Sequence, residues 1–117
     1  MDDAVKAKLA EAGVDLESAM ERFMNNDALL ERFLKKFPAD PNYQKLVDSM
    51  EADNIEDAFA AAHTLKGLCG NLSLAAMQAV VSEQTELLRS GKGAEAKEMM
   101  PQVTQEYEKI IAVIEHL

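Results

Sequence analysis

The residues best suited to chemistry lie in one short stretch in the middle of the chain, around the first of its two histidines. Four of them have the i, i+3, i+4, i+7 spacing that places side chains on one face of a helix: His63, Lys66, Gly67 and Gly70. Because each helical residue turns by about 100°, the histidine is expected about 120° from the centre of the adjacent apolar stripe. The spacing therefore predicts an imidazole on the flank of a helical bundle, beside an ammonium group and two positions without a side chain.

This combination of side chains suits phosphoryl transfer. Histidine titrates close to neutral pH, so a neutral imidazole nitrogen is available as a nucleophile. Attack on phosphorus gives a phosphoramidate, a covalent intermediate that can be handed on. Such transfers depend mainly on alignment and on charge compensation around the phosphoryl oxygens, and Lys66 can supply positive charge one turn away. His63 is therefore the candidate phospho-accepting residue.

The two glycines of this face need a physical reason, because glycine inside a helix costs about 1 kcal/mol relative to alanine. Close packing against a neighbouring helix is one explanation, and it stays open for Gly70. Gly67 lies on the side of His63 that points away from the apolar stripe, where packing does not require a glycine. A bare backbone at that position would let the active site of another protein approach the imidazole.

The helix that positions these residues is predicted over about 54–72. Asn54 is suited to cap its start, with Asp57 in a capping-box position. Its apolar residues recur in steps of three and four: Ile55, Ala58, Ala62, Leu65, Cys69 and Leu72. Because Cys69 belongs to this stripe, we expect a buried thiol rather than a reactive one.

Helix signals continue along the rest of the chain. Short helical segments are predicted before residue 40, one of them capped by Asp27. Longer ones follow Pro41 and the cap residue Ser73, and a last one from about Ala94 should kink or restart at Pro101. Hydrophobic residues make up 48% of the 117 residues, which is enough for one core. We predict a single all-α domain over 1–117, an antiparallel four-helix bundle with additional short N-terminal helices.

Charge and composition exclude several classes of function. The formal net charge of -9 argues against binding nucleic acid or anionic lipid. No apolar run approaches the roughly 20 residues that cross a bilayer, and the N-terminus lacks the features of a signal peptide. The single cysteine allows no internal disulfide. We therefore expect a cytoplasmic protein with neither nucleic-acid nor membrane partners, and a complete bundle with an exposed histidine face favours a monomer.

The stretch Ala62-His63-Thr64-Leu65-Lys66-Gly67 resembles the Ala-His-x-Leu-Lys-Gly core of histidine phosphotransfer (HPt) domains of two-component phosphorelays. The resemblance extends over most of the chain. It includes an Asp-Leu-Glu-x-Ala start at Asp15, the segment from Asn26 to Leu30, a short linker around Asp53, Leu74, and the break at Gly91 before a long final helix.

The resemblance implies a role for each matching residue. His63 would carry the phosphoryl group, Lys66 would stabilise it, and Gly67 would leave room for the partner. In some family members a glutamine on the following helix hydrogen-bonds the imidazole; here the comparable position is Thr85, with Gln84 beside it, so the orienting group stays open. The expected partner-binding residues are Phe59, Gly67, Gly70, Thr85 and Arg89.

The resemblance also implies the partners of the chain. These are receiver domains of response regulators and of a hybrid sensor histidine kinase, and the receiver would contribute both the aspartate and the Mg²⁺. No cofactor is therefore expected on this chain. Because the sequence lacks a glycine-rich phosphate loop or a kinase-type nucleotide motif, it is predicted to be a phosphocarrier without ATP-dependent kinase activity.

Two other interpretations remain. A non-catalytic helical adaptor that binds receiver domains or other signalling proteins would use the same surface, and its signalling would survive His63→Gln. A small enzyme with His63 as general base, or a metal site, is disfavoured by the lack of suitable neighbours. The second histidine, His116, lies at the far end of the chain, and the only carboxylate at a suitable spacing is that of Glu56, two turns before His63.

Overall fold

The structure is a computed structural model that describes residues 1–117 and contains helices and turns but no β-strand. The helices are α1 (Asp3–Glu11), α2 (Leu16–Arg22), α3 (Asp27–Lys36), α4 (Asn42–Glu51), α5 (Ile55–Asn71), α6 (Ala75–Arg89), α7 (Gly93–Glu98) and α8 (Met100–Ile114), with a 3-10 turn, Phe37–Ala39, after α3. The predicted all-α class is confirmed. None of these helices is both long enough and apolar enough to span a membrane.

Helices α4, α5, α6 and α8 form an antiparallel bundle. Three-residue connections join α4 to α5 and α5 to α6, so each pair must run in opposite directions. Helix α8 packs against α4 and completes the bundle. The ring centroids of Tyr43 in α4 and Tyr107 in α8 are 3.7 Å apart in a stacked pair, and the Tyr43 hydroxyl donates to the hydroxyl of Thr104 at 2.8 Å. Lys97 of α7, which precedes α8, lies 3.1 Å from Asp53 in the connection that follows α4. The predicted four-helix bundle is confirmed.

The start of α5 is fixed by the predicted capping box. The side-chain oxygen of Asn54 accepts a hydrogen bond from the backbone N–H of Asp57 at 3.1 Å, and its amide nitrogen donates to the Asp57 carboxylate at 2.8 Å. The apolar stripe then faces the core: Ala58, Ala62, Leu65, Cys69 and Leu72 are buried and Ile55 is half-buried. Because one side of α5 is fixed in this way, its opposite side must face solvent.

The last predicted helix is interrupted and restarts as α8, as the position of Pro101 predicts. Helix α7 ends at Glu98, and Pro101 lies in the first turn of α8, where its missing N–H costs nothing. The fully buried Gln84 of α6 donates from its amide nitrogen to the carbonyl of Ala96 at 3.0 Å. This hydrogen bond ties α6 to the end of α7.

Two predicted caps are wrong. The side chain that caps α3 is that of Asn26, which accepts from the N–H of Leu29 at 3.1 Å, while Asp27 instead pairs with Lys6 at 3.1 Å. Ser73 does not cap α6, because its backbone adopts a left-handed conformation with φ 55°. Its buried hydroxyl shares a 2.9 Å hydrogen bond with that of Ser18 in α2.

The N-terminal helices attach to the turn between α5 and α6. Gly13, which ends α1, has φ +96°, and a Cβ added there would overlap that of Ala76 in α6. The carbonyl of Gly13 accepts from the N–H of Ala76 at 3.1 Å, and the N–H of Asp15 donates to Ser73 at 2.9 Å. These short contacts require a glycine and hold α1 and α2 at one end of the bundle.

Cys69 is buried on the core face of α5, and burial raises the pKa of its thiol to about 12, with Asp40 adding to the effect. An ordinary thiol has a pKa of about 8.5, so the reactive thiolate should be about three thousand-fold scarcer in the native protein. We expect Cys69 to react with a disulfide reagent only when the chain is unfolded in urea. Comparable rates in native buffer and in urea would contradict its burial.

The same shift predicts how stability depends on pH. The folded thiol has a higher pKa than the unfolded one, so the neutral form stabilises the fold below pH about 8.5. That contribution should be lost progressively as the pH rises toward 12. Urea denaturation at increasing alkaline pH would measure the loss, and Cys69→Ala should flatten the dependence over this range.

Candidate functional site

His63 lies in the middle of α5 with its side chain exposed. Its neighbours Ala62 and Leu65 are buried, so the backbone of the helix holds the histidine on the solvent side. None of the salt bridges or side-chain hydrogen bonds of the structure involves its imidazole. Its ring nitrogens are therefore available to a visiting molecule.

The imidazole is in contact with an aromatic ring. Phe59, one turn earlier on α5, lies with its ring centroid 5.9 Å from that of His63 and its plane inclined by 24°. The guanidinium of Arg89, at the end of α6, lies 5.0 Å from the centre of the Phe59 ring. The Arg89 Nε is also 3.3 Å from a carboxylate oxygen of Glu86. The structure thus brings Phe59 and Arg89 together beside His63.

Lys66 lies one turn after His63 and is half-buried. None of the salt bridges of the structure involves its ammonium group. Its positive charge is therefore not neutralised by a carboxylate of this chain. A doubly negative group placed on the exposed side of α5 would find this charge within the same helical face.

Gly67 and Gly70 differ in how much space surrounds them. A Cβ added at Gly67 would meet no atom within 4 Å, so this exposed position borders open space. A Cβ added at Gly70 would lie 2.8 Å from the amide nitrogen of Gln78 in α6. Gly70 is thus covered by a side chain, which favours the packing explanation over a role in partner binding. Gly67 alone leaves bare backbone next to His63.

The prediction that Thr85 contacts a partner is wrong, because its side chain is fully buried. Its hydroxyl donates to the carbonyl of Val81 at 2.7 Å. Gln84 is fully buried as well, and its amide nitrogen is engaged with Ala96. The reason is the periodicity of α6, since Val81, Thr85 and Leu88 share its core face. Neither polar side chain hydrogen-bonds the imidazole.

Sequence reasoning missed the contacts that cross from α6 to α5. The stacking of Phe59 on His63 could have been found, because the two residues are four apart on one helix. The approach of Arg89 to Phe59, and of Gln78 to Gly70, depends on the register between two helices. The spacing of residues within one helix does not determine that register.

The structure brings together no group of three or more His, Cys, Asp or Glu side chains that could hold a metal ion. The exposed face of α5 around His63 consists instead of an imidazole, an aromatic ring, an ammonium group and open backbone.

Comparison with known proteins identifies the family. The model of the family described as "Hpt domain" matches residues 28–113, a region that begins in α3 and includes His63 and Lys66. No curated protein and no solved structure gives a significant match. Hpt domains are phosphocarriers rather than kinases, and they act with two-component kinases and receivers. Because the match covers most of the chain, this protein belongs to the Hpt domain family, which implies a role in histidine phosphotransfer in phosphorelays.

Proposed function

We propose that His63 accepts a phosphoryl group from the aspartate of a receiver domain and passes it to the aspartate of a response regulator. The observation that carries this proposal is the state of the imidazole. It is exposed on α5, hydrogen-bonded to no group of the chain, and next to open space at Gly67. A histidine that stabilises the core would instead be buried and hydrogen-bonded. The other exposed histidine, His116, has no lysine or glycine within four residues.

The transfer balances without a further reactant. The ring nitrogen of His63 that carries no proton attacks phosphorus, and an N–P bond forms. The P–O bond to the receiver aspartate breaks, and the carboxylate leaves with the electron pair. The onward step is the reverse of this reaction on a second receiver. The proton on the other ring nitrogen stays in place during the transfer.

Charge compensation is divided between the two proteins. The phosphoryl group brings negative charge to a chain whose formal net charge is already -9, so an unneutralised cation beside the acceptor matters. Lys66 is that cation on this chain. We propose that the Mg²⁺ at the transfer site belongs to the receiver, which holds the aspartate, and that this chain contributes no metal ligand.

The experiment that tests the proposal is phosphotransfer from a labelled receiver. Receiver domains from the same organism would be phosphorylated with a labelled acyl phosphate, purified and incubated with this protein and Mg²⁺. The expected result is a label on this chain that is lost in acid and retained in base, as a phosphoramidate requires. If no candidate receiver labels the chain, phosphotransfer is contradicted.

Removing the positive charge beside His63 should slow the reaction. We expect Lys66→Gln to lower the rate of phosphoryl acceptance by about ten-fold or more, because the charge stabilises the phosphoryl oxygens in the transition state. The initial rate of labelling at saturating receiver measures the effect. Lys109→Gln, an exposed lysine of α8, is the matched control and should react like the wild type. Equal slowing in both variants would show a general charge effect instead.

A further inference from the structure

We infer that Phe59 positions the imidazole of His63 and that Arg89 holds Phe59 in place. The inference rests on the proposed role of His63 as the phospho-accepting residue and names the group that orients it. Phe59 is a positioning residue in this account, because it acts through the imidazole and not on the phosphoryl group.

The geometry of the two rings restricts the histidine without blocking it. A centroid distance of 5.9 Å and an inclination of 24° are those of an offset stacked pair. The contact uses one face of the imidazole and limits its rotation about the side-chain bonds. Both ring nitrogens lie at the edge of the ring, so stacking leaves them open to a visiting phosphoryl group.

Phe59 is itself held from two directions. It is half-buried and packs against the hydrophobic core, which limits the movement of its ring. The guanidinium of Arg89 lies 5.0 Å from its centre, in the geometry of a cation–π contact. Glu86, one turn before Arg89, binds the Arg89 Nε at 3.3 Å. A continuous set of contacts therefore leads from Glu86 on α6 to His63 on α5.

No polar group of the chain performs this task. Thr85 is fully buried, and its hydroxyl donates to the carbonyl of Val81 at 2.7 Å. The family resemblance implies an orienting glutamine at this position in some members. Gln84 is also buried and donates to Ala96. Phe59 provides the one aromatic contact that the structure gives to the imidazole.

The first test is the NMR spectrum of the two histidine rings in the full chain without any partner. A phenyl ring stacked on His63 shifts the resonances of its ring protons, whereas the exposed His116 near the C-terminus has no such neighbour and serves as an internal control. In Phe59→Leu the His63 resonances should move toward those of His116, while His116 stays unchanged. Phe59→Tyr, which keeps the ring, should restore the wild-type shifts. Unchanged His63 resonances in Phe59→Leu would overturn the inference.

The second test separates positioning from docking. Loss of orientation should lower the maximal rate of phosphoryl acceptance in Phe59→Leu by about ten-fold, with the half-saturating receiver concentration unchanged within about two-fold. Phe59→Tyr should recover the rate. A raised half-saturating concentration with an unchanged maximal rate would assign Phe59 to docking alone and contradict positioning.

A surface variant tests the role of Arg89 without disturbing the core. Arg89→Gln removes the cation above Phe59, and the His63 resonances should move in the same direction as in Phe59→Leu but by less. If they do not move, Arg89 does not hold Phe59.

The NMR result is independent of phosphotransfer. A wild-type chain that accepts no label refutes the proposed function, while the spectra still decide whether Phe59 orients His63.

Discussion

His63→Gln is expected to abolish phosphoryl acceptance completely while leaving the fold intact. An amide is not a nucleophile toward phosphorus, so no phosphoramidate can form. The side chain is exposed and makes no hydrogen bond within the chain, and its one notable contact is the stacking on Phe59, so its replacement should lower the free energy of unfolding by no more than about 1 kcal/mol. Labelling by a phosphorylated receiver and urea denaturation measure the two quantities.

His116→Gln is the matched control for this substitution. His116 is exposed near the C-terminus, beyond the end of α8, and the control variant should accept the label like the wild type. A label that persists on His63→Gln would place the acceptor elsewhere. Intact signalling by the same variant in the cell would instead support the adaptor interpretation, in which the surface binds partners without transferring phosphate.

Gly67→Gln is expected to stabilise the protein and to inhibit it. Glutamine has the higher helix propensity, and a Cβ at this position meets nothing within 4 Å, so the free energy of unfolding should rise by about 0.6 kcal/mol. The same side chain would fill the space that the receiver needs next to His63. Misplacing the reacting groups by one ångström is enough to slow transfer by about a hundred-fold.

Ala112→Gln is the control for the added bulk. Ala112 is exposed on α8, a helix that carries none of the candidate site residues, so this variant should transfer phosphate normally. A Gly67→Gln protein that is more stable and equally active would mean that the receiver does not approach over this position. Denaturation and labelling together separate that outcome from simple unfolding.

The fold and the face of α5 could be predicted because their signals are local. The capping box at Asn54 and the apolar residues at helical spacing determine where α5 begins and which side is buried. Once Ala62 and Leu65 face the core, His63 must face solvent. The interruption before α8 follows in the same way from Pro101 alone.

The surroundings of His63 could be predicted only in part. Thr85 is polar, yet it is buried, because its hydroxyl is satisfied by the carbonyl of Val81 within the same helix. The polar residue type at position 85 therefore led to the wrong prediction that Thr85 is exposed to a partner. The contacts of Arg89 with Phe59 and of Gln78 with Gly70 depend on how α6 lies against α5, which only the folded chain determines.

The most direct measurement of the central claim follows one phosphoryl group through the chain. The protein would be labelled by a first receiver, separated from it, and mixed with a second receiver and Mg²⁺. The account predicts that the isolated chain carries an acid-labile label on His63 and that this label moves to the second receiver as the chain loses it. A label that stays on the chain, or one located at any residue other than His63, would contradict the account.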